Sequence, residues 1–230
     1  MSSIELQRSF PAGLPSAEIE PLSTKAIIKA LSLEPHIEGG YFVETDRDPL
    51  LIPSPFPPTP ASSLVPQRPG FDPAHRNAST TIFYYLTPQS PQGNFHRNRG
   101  RTVHTLHRGR GVYVLIHADE PDLPGGGGGK RIETFIVGPD VANGEKLQWI
   151  VEGGKYKASF LLPDDASASA GGDGDGEDKE KEKTSGGLLI SETVVPGFEF
   201  CDHDFLRAEE FRRLVTPEKA EELAWLVRKA

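Results

Sequence analysis

The feature that most constrains this chain is a series of short segments rich in β-branched and aromatic residues, separated by turns that contain glycine or proline. The predicted strands cover residues 40–45, 80–86, 102–107, 112–117, 132–137, 147–151, 156–162, 188–195 and 198–200. No helical pattern separates consecutive strands, so alternating parallel βαβ units are excluded. The sequence therefore predicts an all-β sandwich or barrel.

Helical patterns lie only near the two ends of the chain. Residues 23–31 form a short amphipathic pattern with a polar cap, and this helix must end before Pro35. Thr216 followed by Pro217 is typical of an N-cap with proline at the first helical position. We therefore predict a C-terminal helix over residues 216–230.

Glycine and proline are frequent, with 24 and 21 residues, but they are concentrated in a few segments. Nine of the prolines lie in residues 46–78, five consecutive glycines lie in residues 119–130, and residues 163–187 contain eight acidic residues and no large apolar one. We expect an irregular excursion, a flexible hairpin tip and a disordered segment, respectively. The predicted organisation is a flexible N-terminus (1–22), a single domain (23–215) with these three segments as inserted loops, and the C-terminal helix (216–230).

Charge and composition argue against several classes of protein. The formal net charge of −8 speaks against binding to nucleic acid or to an anionic membrane. Residues 163–187 contribute 3 − 8 = −5 of that charge, so the remaining −3 is compatible with an anionic ligand. The single Cys201 excludes a disulfide framework and a cysteine-based zinc site. With no run of about 18 apolar residues and no signal-like start, we expect a soluble, cytoplasmic protein.

Four segments, taken in order, resemble the Cupin_5 group of RmlC-like cupins. They are LEPHIEGGYF (33–42), TIFYYL (81–86), NFHR (94–97) and VVPGFEF (194–200). The resemblance covers roughly residues 24–215, and its most specific parts are the first and last segments at this separation. It implies a double-stranded β-helix, that is, a jelly-roll barrel with a ligand pocket at its mouth, and a homodimer. Function in this group is largely unassigned, so the resemblance implies a fold more firmly than an activity.

The metal-binding motifs of cupins are not complete in this chain. Metal-dependent cupins carry His-x-His followed by Glu, and a further His on a second motif; the matching positions here are His96, Asn98, Thr102 and Lys157. Because a divalent ion needs imidazole, carboxylate or thiolate ligands, we predict no metal and no cofactor at these positions. A pair of His96 with His104 is a remaining route, and the alternative is that His104 merely lines the barrel. Either the pocket is adapted to a different ligand, or the protein has lost its catalytic activity and only binds a small molecule.

The pocket residues suggest acid/base chemistry. We predict His96 as an acid/base and Lys157 as a base or carbonyl-polarising cation. The predicted substrate-binding residues are Glu38, Tyr84, Asn98, Thr102, His104, Tyr156 and Glu199. The leading hypothesis is a metal-independent isomerase, epimerase or lyase (dehydratase) acting on a small oxygenated, anionic metabolite. The alternatives are a non-catalytic small-molecule-binding cupin and a metal-dependent dioxygenase with an atypical ligand set.

Several of these residues also have a purely structural interpretation. Glu38 could cap the Gly39-Gly40 turn, Glu199 could lie on the surface, and Lys157 could extend to solvent if the strand register differs by one residue. His203 is predicted to lie in a surface turn. A local group of arginines either attracts an anionic ligand or forms a solvated hairpin rim. The group consists of Arg97, Arg99, Arg101, Arg108 and Arg110.

Overall fold

The structure is a computed structural model that describes residues 4, 6–57, 65–124, 129–164 and 184–229. In chain order the helices are α1 (Leu22–Ala30), α2 (Ala208–Leu214) and α3 (Pro217–Leu223). The strands are β1 (Glu34–Pro35), β2 (Tyr41–Arg47), β3 (Leu51–Pro53), β4 (His75–Asn77), β5 (Thr80–Leu86), β6 (Gln92–Asn98), β7 (Arg101–Arg108), β8 (Gly111–Ile116), β9 (Ile132–Val137), β10 (Gln148–Val151), β11 (Tyr156–Leu161), β12 (Leu188–Val195) and β13 (His203–Phe205).

Two antiparallel sheets form the body of the protein. The six-stranded sheet has the order β1-β2-β5-β12-β7-β10, and the five-stranded sheet has the order β13-β6-β11-β8-β9. The non-sequential neighbours show that the chain crosses repeatedly between the two sheets, as a jelly roll requires. The predicted all-β jelly-roll fold is therefore confirmed.

The five-stranded sheet is buried on both faces. Its inner face packs against the six-stranded sheet through an aromatic cluster that includes Tyr113, Phe135 and Trp149. Its outer face is covered by the C-terminal helices, where Phe211 and Leu226 belong to the same cluster as strand residues. This double burial explains why β8 and β11 are buried along their whole length, whereas β12 alternates between buried and less buried positions.

The aromatic core fills only part of the space between the sheets. At the other end, the inward positions of both sheets carry buried polar side chains, among them His96, Asn98, His104, Lys157 and Glu192. Alternate residues of a strand point to the same side of a sheet, so His96 and Asn98 on β6 share the inner face. This polar end of the barrel contains the candidate site.

Three local predictions need correction. Residues 198–200 are not a strand, because the chain there leads into a 3-10 turn at Phe200–Asp202 before β13. Residues 46–78 are not wholly irregular, since β2 continues to Arg47 and β3 pairs with β4. The C-terminal helix is shorter than predicted: α3 has its N-cap at Thr216, as predicted, but ends at Leu223 and continues as a 3-10 turn.

The domain boundaries remain predictions, but the structure describes parts of the N-terminal segment and of the inserted loops. Leu6 and Phe10, in the segment predicted to be flexible, are buried in the two main clusters. Most of residues 163–187 and four of the five consecutive glycines lie outside the described residues. Among the residues that the structure describes, no helix has the length and apolar character needed to cross a bilayer.

Candidate functional site

A cavity of about 260 Å³ opens at the polar end of the barrel. Its wall combines an apolar part with charged side chains from the six-stranded sheet and the loops, and the five-stranded sheet contributes Asn98. The lining residues are His36, Glu38, Phe42, Glu44, Arg47, Pro66, Gln67, Arg68, Thr80, Ile82, Asn98, Glu192, Val194, Phe198, Glu199 and Phe200. The predicted binding residues Glu38, Asn98 and Glu199 are among them.

A tight turn between β1 and β2 places Glu38 at the cavity wall. The backbone N–H of His36 donates to the backbone carbonyl of Gly40 at 2.9 Å. The backbone is left-handed at Gly39 (φ 108°) and at Gly40 (φ 66°). A Cβ atom at Gly39 would overlap the carbonyl oxygen of Gln92, so both the conformation and the space require glycine here. The Gly39-Gly40 turn therefore holds the Glu38 carboxylate at the cavity wall.

Three imidazoles surround the Glu38 carboxylate. Its Oε1 lies 2.9 Å from His203 Nε2, and its Oε2 lies 3.3 Å from His96 Nε2 and 3.5 Å from His36 Nδ1. The rings of His96 and His203 are stacked, with centroids 5.3 Å apart. His203 is thus at the centre of the site, and the prediction that it lies in a surface turn is wrong.

Burial and the charges of the neighbouring side chains determine the pKa values of Glu38, His96 and His36. Burial alone would raise the pKa of Glu38, but the surrounding imidazoles of His96, His36 and His203 overcome it, and the pKa lies well below its usual value. For His96, burial dominates over the attraction of Glu38 and lowers the pKa to about 3. Burial likewise lowers the pKa of His36. At neutral pH the cavity therefore presents an ionised Glu38 beside the neutral imidazoles of His96 and His36.

Both ring nitrogens of His96 already face protein groups. Nδ1 is 2.9 Å from the Asn94 carbonyl oxygen, to which it can only donate, and Nε2 faces Glu38. His96 is also not among the residues that line the cavity. Its geometry suits a residue that holds Glu38 or binds a cation more than one that takes a proton from a ligand.

A second buried cluster is centred on Lys157. Its Nζ donates to Glu192 Oε2 at 2.5 Å and lies 2.9 Å from His104 Nε2, which in turn is 3.3 Å from Glu192 Oε2. The His104 ring stacks on Trp149 with centroids 5.0 Å apart. Lys157 is only 3% exposed, so it does not extend to solvent. Only Glu192 of this cluster lines the cavity.

The charge of Lys157 shifts the pKa values of Glu192 and His104. Burial would raise the pKa of Glu192, but the Lys157 ammonium and His104 overcome it and hold that pKa well below its usual value. Burial and the nearby Lys157 together lower the pKa of His104. His96 and Lys157 are partners in the ladder between β6 and β11, so the structure brings the two predicted catalytic residues to adjacent positions, each bound to a different carboxylate.

The cavity mouth has arginines other than those predicted. Glu199 accepts from Arg47 Nη1 at 2.9 Å and from Arg68 Nη2 at 2.9 Å, and all three residues line the cavity. None of the five predicted arginines lines the cavity; Arg97, for example, pairs with Asp204. The basic part of the site comes from the end of β2 and from the proline-rich segment.

Two predicted tyrosines do not reach the ligand space. The Tyr156 hydroxyl donates to Glu210 Oε1 at 3.0 Å, on the outer face of the sheet, because Tyr156 and Lys157 are consecutive in β11 and must face opposite sides. The Tyr84 hydroxyl donates to the Gly39 carbonyl at 2.8 Å and so supports the turn. Thr102 is buried on β7 and does not line the cavity either.

Five residues of the site were not predicted from the sequence. They are His36, Arg47, Arg68, Glu192 and His203. A signal existed for Glu192, because it occupies the same phase of β12 as the buried Ile190 and Val194, and a charge at an apolar position of a strand is unusual. No comparable signal existed for Arg68, whose partners lie far away in the sequence.

The observed clusters differ from the metal motif of the cupins that the chain resembles. Of the four motif positions only His96 offers a good metal ligand, and the Lys157 ammonium is bound to Glu192, so the four positions together do not form a metal site. Ligand atoms of Glu38, His96 and His203, in contrast, lie within 4.8 Å of one another. A second such group consists of His117, Asp119 and Glu120; its two carboxylates are partly exposed, and Arg131 and Lys155 already contact them.

Comparison with known proteins supports the fold. Residues 25–206 match the family model described as Cupin_5, Cupin superfamily (DUF985). The uncharacterized protein YML079W of Saccharomyces cerevisiae is 43% identical over 207 residues, which is 90% of this chain and 87% of that protein. A hypothetical protein from Leishmania major has 25% identity and a TM-score of 0.64, covering 89% of this chain and 98% of that one. Protein SO0799 from Shewanella oneidensis has 22% identity and a TM-score of 0.59, covering 90% and 98%, and shows the fold alone.

Proposed function

The chain belongs to the Cupin_5 family (DUF985) of the cupin superfamily, and from that premise we propose that it is an enzyme that transfers protons on a small oxygenated, anionic metabolite, as an isomerase, epimerase or lyase does. The observation that carries this proposal is the position of Glu192. Glu192 lines the cavity, and Lys157 and His104 contact its carboxylate from the interior. A titratable group that faces a ligand and is backed by two more is the arrangement that general acid/base catalysis needs.

An anionic substrate would itself prepare Glu192 for catalysis. In the free protein Lys157 keeps the pKa of Glu192 low, which makes the carboxylate a weak base. A second negative charge bound nearby disfavours ionised Glu192 and moves its pKa back towards the working pH. The Lys157 ammonium then stabilises the negative charge that develops on the substrate when a C–H proton is removed. Glu192 is the catalytic residue in this scheme, and Lys157 and His104 are positioning residues.

The remaining wall fits such a substrate. Arg47 and Arg68 lie at the cavity and present guanidinium groups that can bind a carboxylate or phosphate. Glu199 orients both of them through its ion pairs. Phe42 and Phe198 also line the cavity and supply apolar surface that excludes water from the reacting group.

Solvent-proton exchange tests the proposal with a panel of candidate substrates. The full chain is incubated in D2O with α-hydroxy acids, 2-oxo acids and sugar acids, and exchange of the C–H next to the carbonyl is followed by proton NMR. We expect protein-dependent exchange with at least one compound, reduced about 10²- to 10⁴-fold in Glu192→Gln. The matched control is Glu209→Gln, whose side chain is exposed on α2 and which should exchange at the wild-type rate.

Two results would count against this function. Compounds that bind, as seen by saturation-transfer NMR, yet never exchange would identify a non-catalytic binding cupin. Exchange that is equally fast in Glu192→Gln would remove the proposed role of that residue.

A further inference from the structure

We propose that Glu38, His96 and His203 form a binding site for one divalent transition-metal ion, with open coordination positions that face the cavity. The site differs from the superfamily's motif, because it takes only His96 from a motif position and recruits Glu38 from the β1–β2 turn and His203 from β13. It is independent of the proposed proton transfer, which uses Glu192 and its partners.

The distances between ligand atoms suit a single ion. Glu38 Oε1 is 2.9 Å from His203 Nε2, and Glu38 Oε2 is 3.3 Å from His96 Nε2. Ligands that each lie about 2.1 Å from an ion, at tetrahedral or octahedral angles, are about 3.0–3.4 Å from one another. The observed separations are close to that range, and because they involve different oxygens of Glu38, one ion would bind both oxygens of this carboxylate.

The second ring nitrogen of His96 is held in the way that metal-binding histidines usually are. Its Nδ1 donates to the Asn94 carbonyl at 2.9 Å, which in a neutral ring leaves a lone pair on Nε2. That lone pair faces the Glu38 carboxylate at 3.3 Å, an arrangement that is repulsive unless a cation or a proton lies between the two groups. A divalent ion resolves this contact.

Asn98 gives a second, independent indication of a missing group. Its side chain is more than nine-tenths buried, it lines the cavity with Glu38, and its Oδ1 has no hydrogen-bond partner among the described residues. Asn98 is directly opposite His203 in the ladder between β6 and β13, so the two side chains are on the same face. A buried acceptor without a donor is costly, and water bound to a metal ion is a donor of the required kind.

The loops hold His203 firmly in this position. The preceding residue, Asp202, is buried and accepts from Arg76 Nε at 2.7 Å and Nη2 at 3.1 Å. This ion pair ties β4 to the start of β13. A ligand held on a rigid support loses little conformational entropy when it binds an ion.

The ligand types indicate the class of metal. Two imidazoles and one carboxylate favour Mn²⁺, Fe²⁺, Co²⁺, Ni²⁺ or Zn²⁺ over Mg²⁺ or Ca²⁺, which prefer oxygen ligands. The positive charge of Lys157 nearby is compensated by its ion pair with Glu192, so it does not prevent binding.

Cobalt titration of the full chain tests the site. The protein is stripped with chelator and titrated with Co²⁺, and both the stoichiometry by calorimetry and the visible d–d bands are recorded. We expect one strong site, weakened at least about tenfold in Glu38→Gln and in His203→Gln. His117→Gln, which alters the second group of candidate ligands, is the matched control and should bind like the wild type.

The outcomes separate this proposal from the proposed function. Glu192→Gln should still bind one Co²⁺ ion per chain even where it abolishes proton exchange, but more weakly than the wild type because the Lys157 charge is then uncompensated. Binding that is lost in His117→Gln but kept in His203→Gln would overturn the site. If His203→Gln does not fold, Glu38→Gln decides: Co²⁺ binding weakened at least about tenfold supports the site, and binding like that of the wild type contradicts it.

Discussion

Lys157 is a buried cation whose charge is matched by one carboxylate, that of Glu192. Removing one partner of such a pair leaves the other charge uncompensated in the interior. We expect Lys157→Met to lower the free energy of unfolding by about 3–5 kcal/mol in urea titrations. Lys155→Met is the control, because Lys155 pairs with the more exposed Asp119 and its loss should cost about 1 kcal/mol or less. Equal losses in the two variants would contradict the buried ion pair.

The depressed pKa of Glu192 has a consequence for acid stability. A carboxyl whose pKa is lower in the folded than in the unfolded chain contributes stability that is complete above the unfolded value, about 4.5, and is lost as the pH falls below it. Between about pH 5 and pH 3 the free energy of unfolding should therefore fall less steeply in Glu192→Gln than in the wild type. Glu209→Gln, 86% exposed at its side chain, should keep the wild-type slope. Unfolding monitored by circular dichroism across this range measures the difference.

The residue scale also shows what the sequence could predict about the site. The proximity of His96 and Lys157 was predictable, because the resemblance placed both at motif positions that meet across one sheet. Tyr156 was assigned to the pocket together with Lys157, which strand alternation forbids. His203 could not be assigned, since its partners Glu38 and His96 are more than 100 residues away in the chain.

At the scale of elements, the turn before β2 determines where Glu38 lies. Gly39→Ala would place a methyl group against the Gln92 carbonyl at a left-handed φ, so we expect destabilisation of about 1–3 kcal/mol and weaker Co²⁺ binding. Gly144→Ala separates steric overlap from φ strain, because Gly144 also has a left-handed φ (90°) but nothing within 4 Å of its Cβ position. Thermal melts and Co²⁺ titrations of both variants give the comparison. A similar loss of Co²⁺ affinity in Gly144→Ala would contradict the positioning role of the Gly39 turn.

The strands were predictable where the sequence pattern matches local preference. β8 and β12 follow their predicted ranges closely, since both are rich in β-branched and aliphatic residues. Residues 198–200 look like a strand by composition, yet the Pro196-Gly197 step and the polar contacts of Glu199 turn the chain into the cavity mouth. β6 contains glycine and asparagine, and it forms because β11 and β13 pair with it on either side.

At the scale of the whole molecule, the homodimer implied by the family resemblance remains a prediction. Sedimentation equilibrium of the full chain should give twice the mass of one chain. A single-chain mass at micromolar concentration would contradict it.

The N-terminal segment links the two main clusters of the molecule. Leu6 packs with the C-terminal helices on the outer face of the five-stranded sheet, while Phe10 belongs to the aromatic cluster between the sheets. Arg8 lies between them in sequence and places its guanidinium over the Trp225 ring, 4.9 Å from the centroid. Sequence patterns could not indicate this, because isolated apolar residues among prolines and serines show no period. The segment therefore belongs to the core, although its described residues before α1 form no helix or strand.

Substitution at Phe10 tests this contribution. Phe10 is 8% exposed, and removing a buried aromatic side chain usually costs about 3–5 kcal/mol, so we expect Phe10→Ala to shift the urea midpoint clearly downwards. Leu14→Ala is the matched control within the same segment: Leu14 is 83% exposed, and its truncation should change the free energy of unfolding by about 0.5 kcal/mol or less. If both variants unfold at the wild-type midpoint, the segment is as flexible as its composition predicts. If only Phe10→Ala is destabilised, the segment around Phe10 is part of the barrel, and the domain begins well before residue 23.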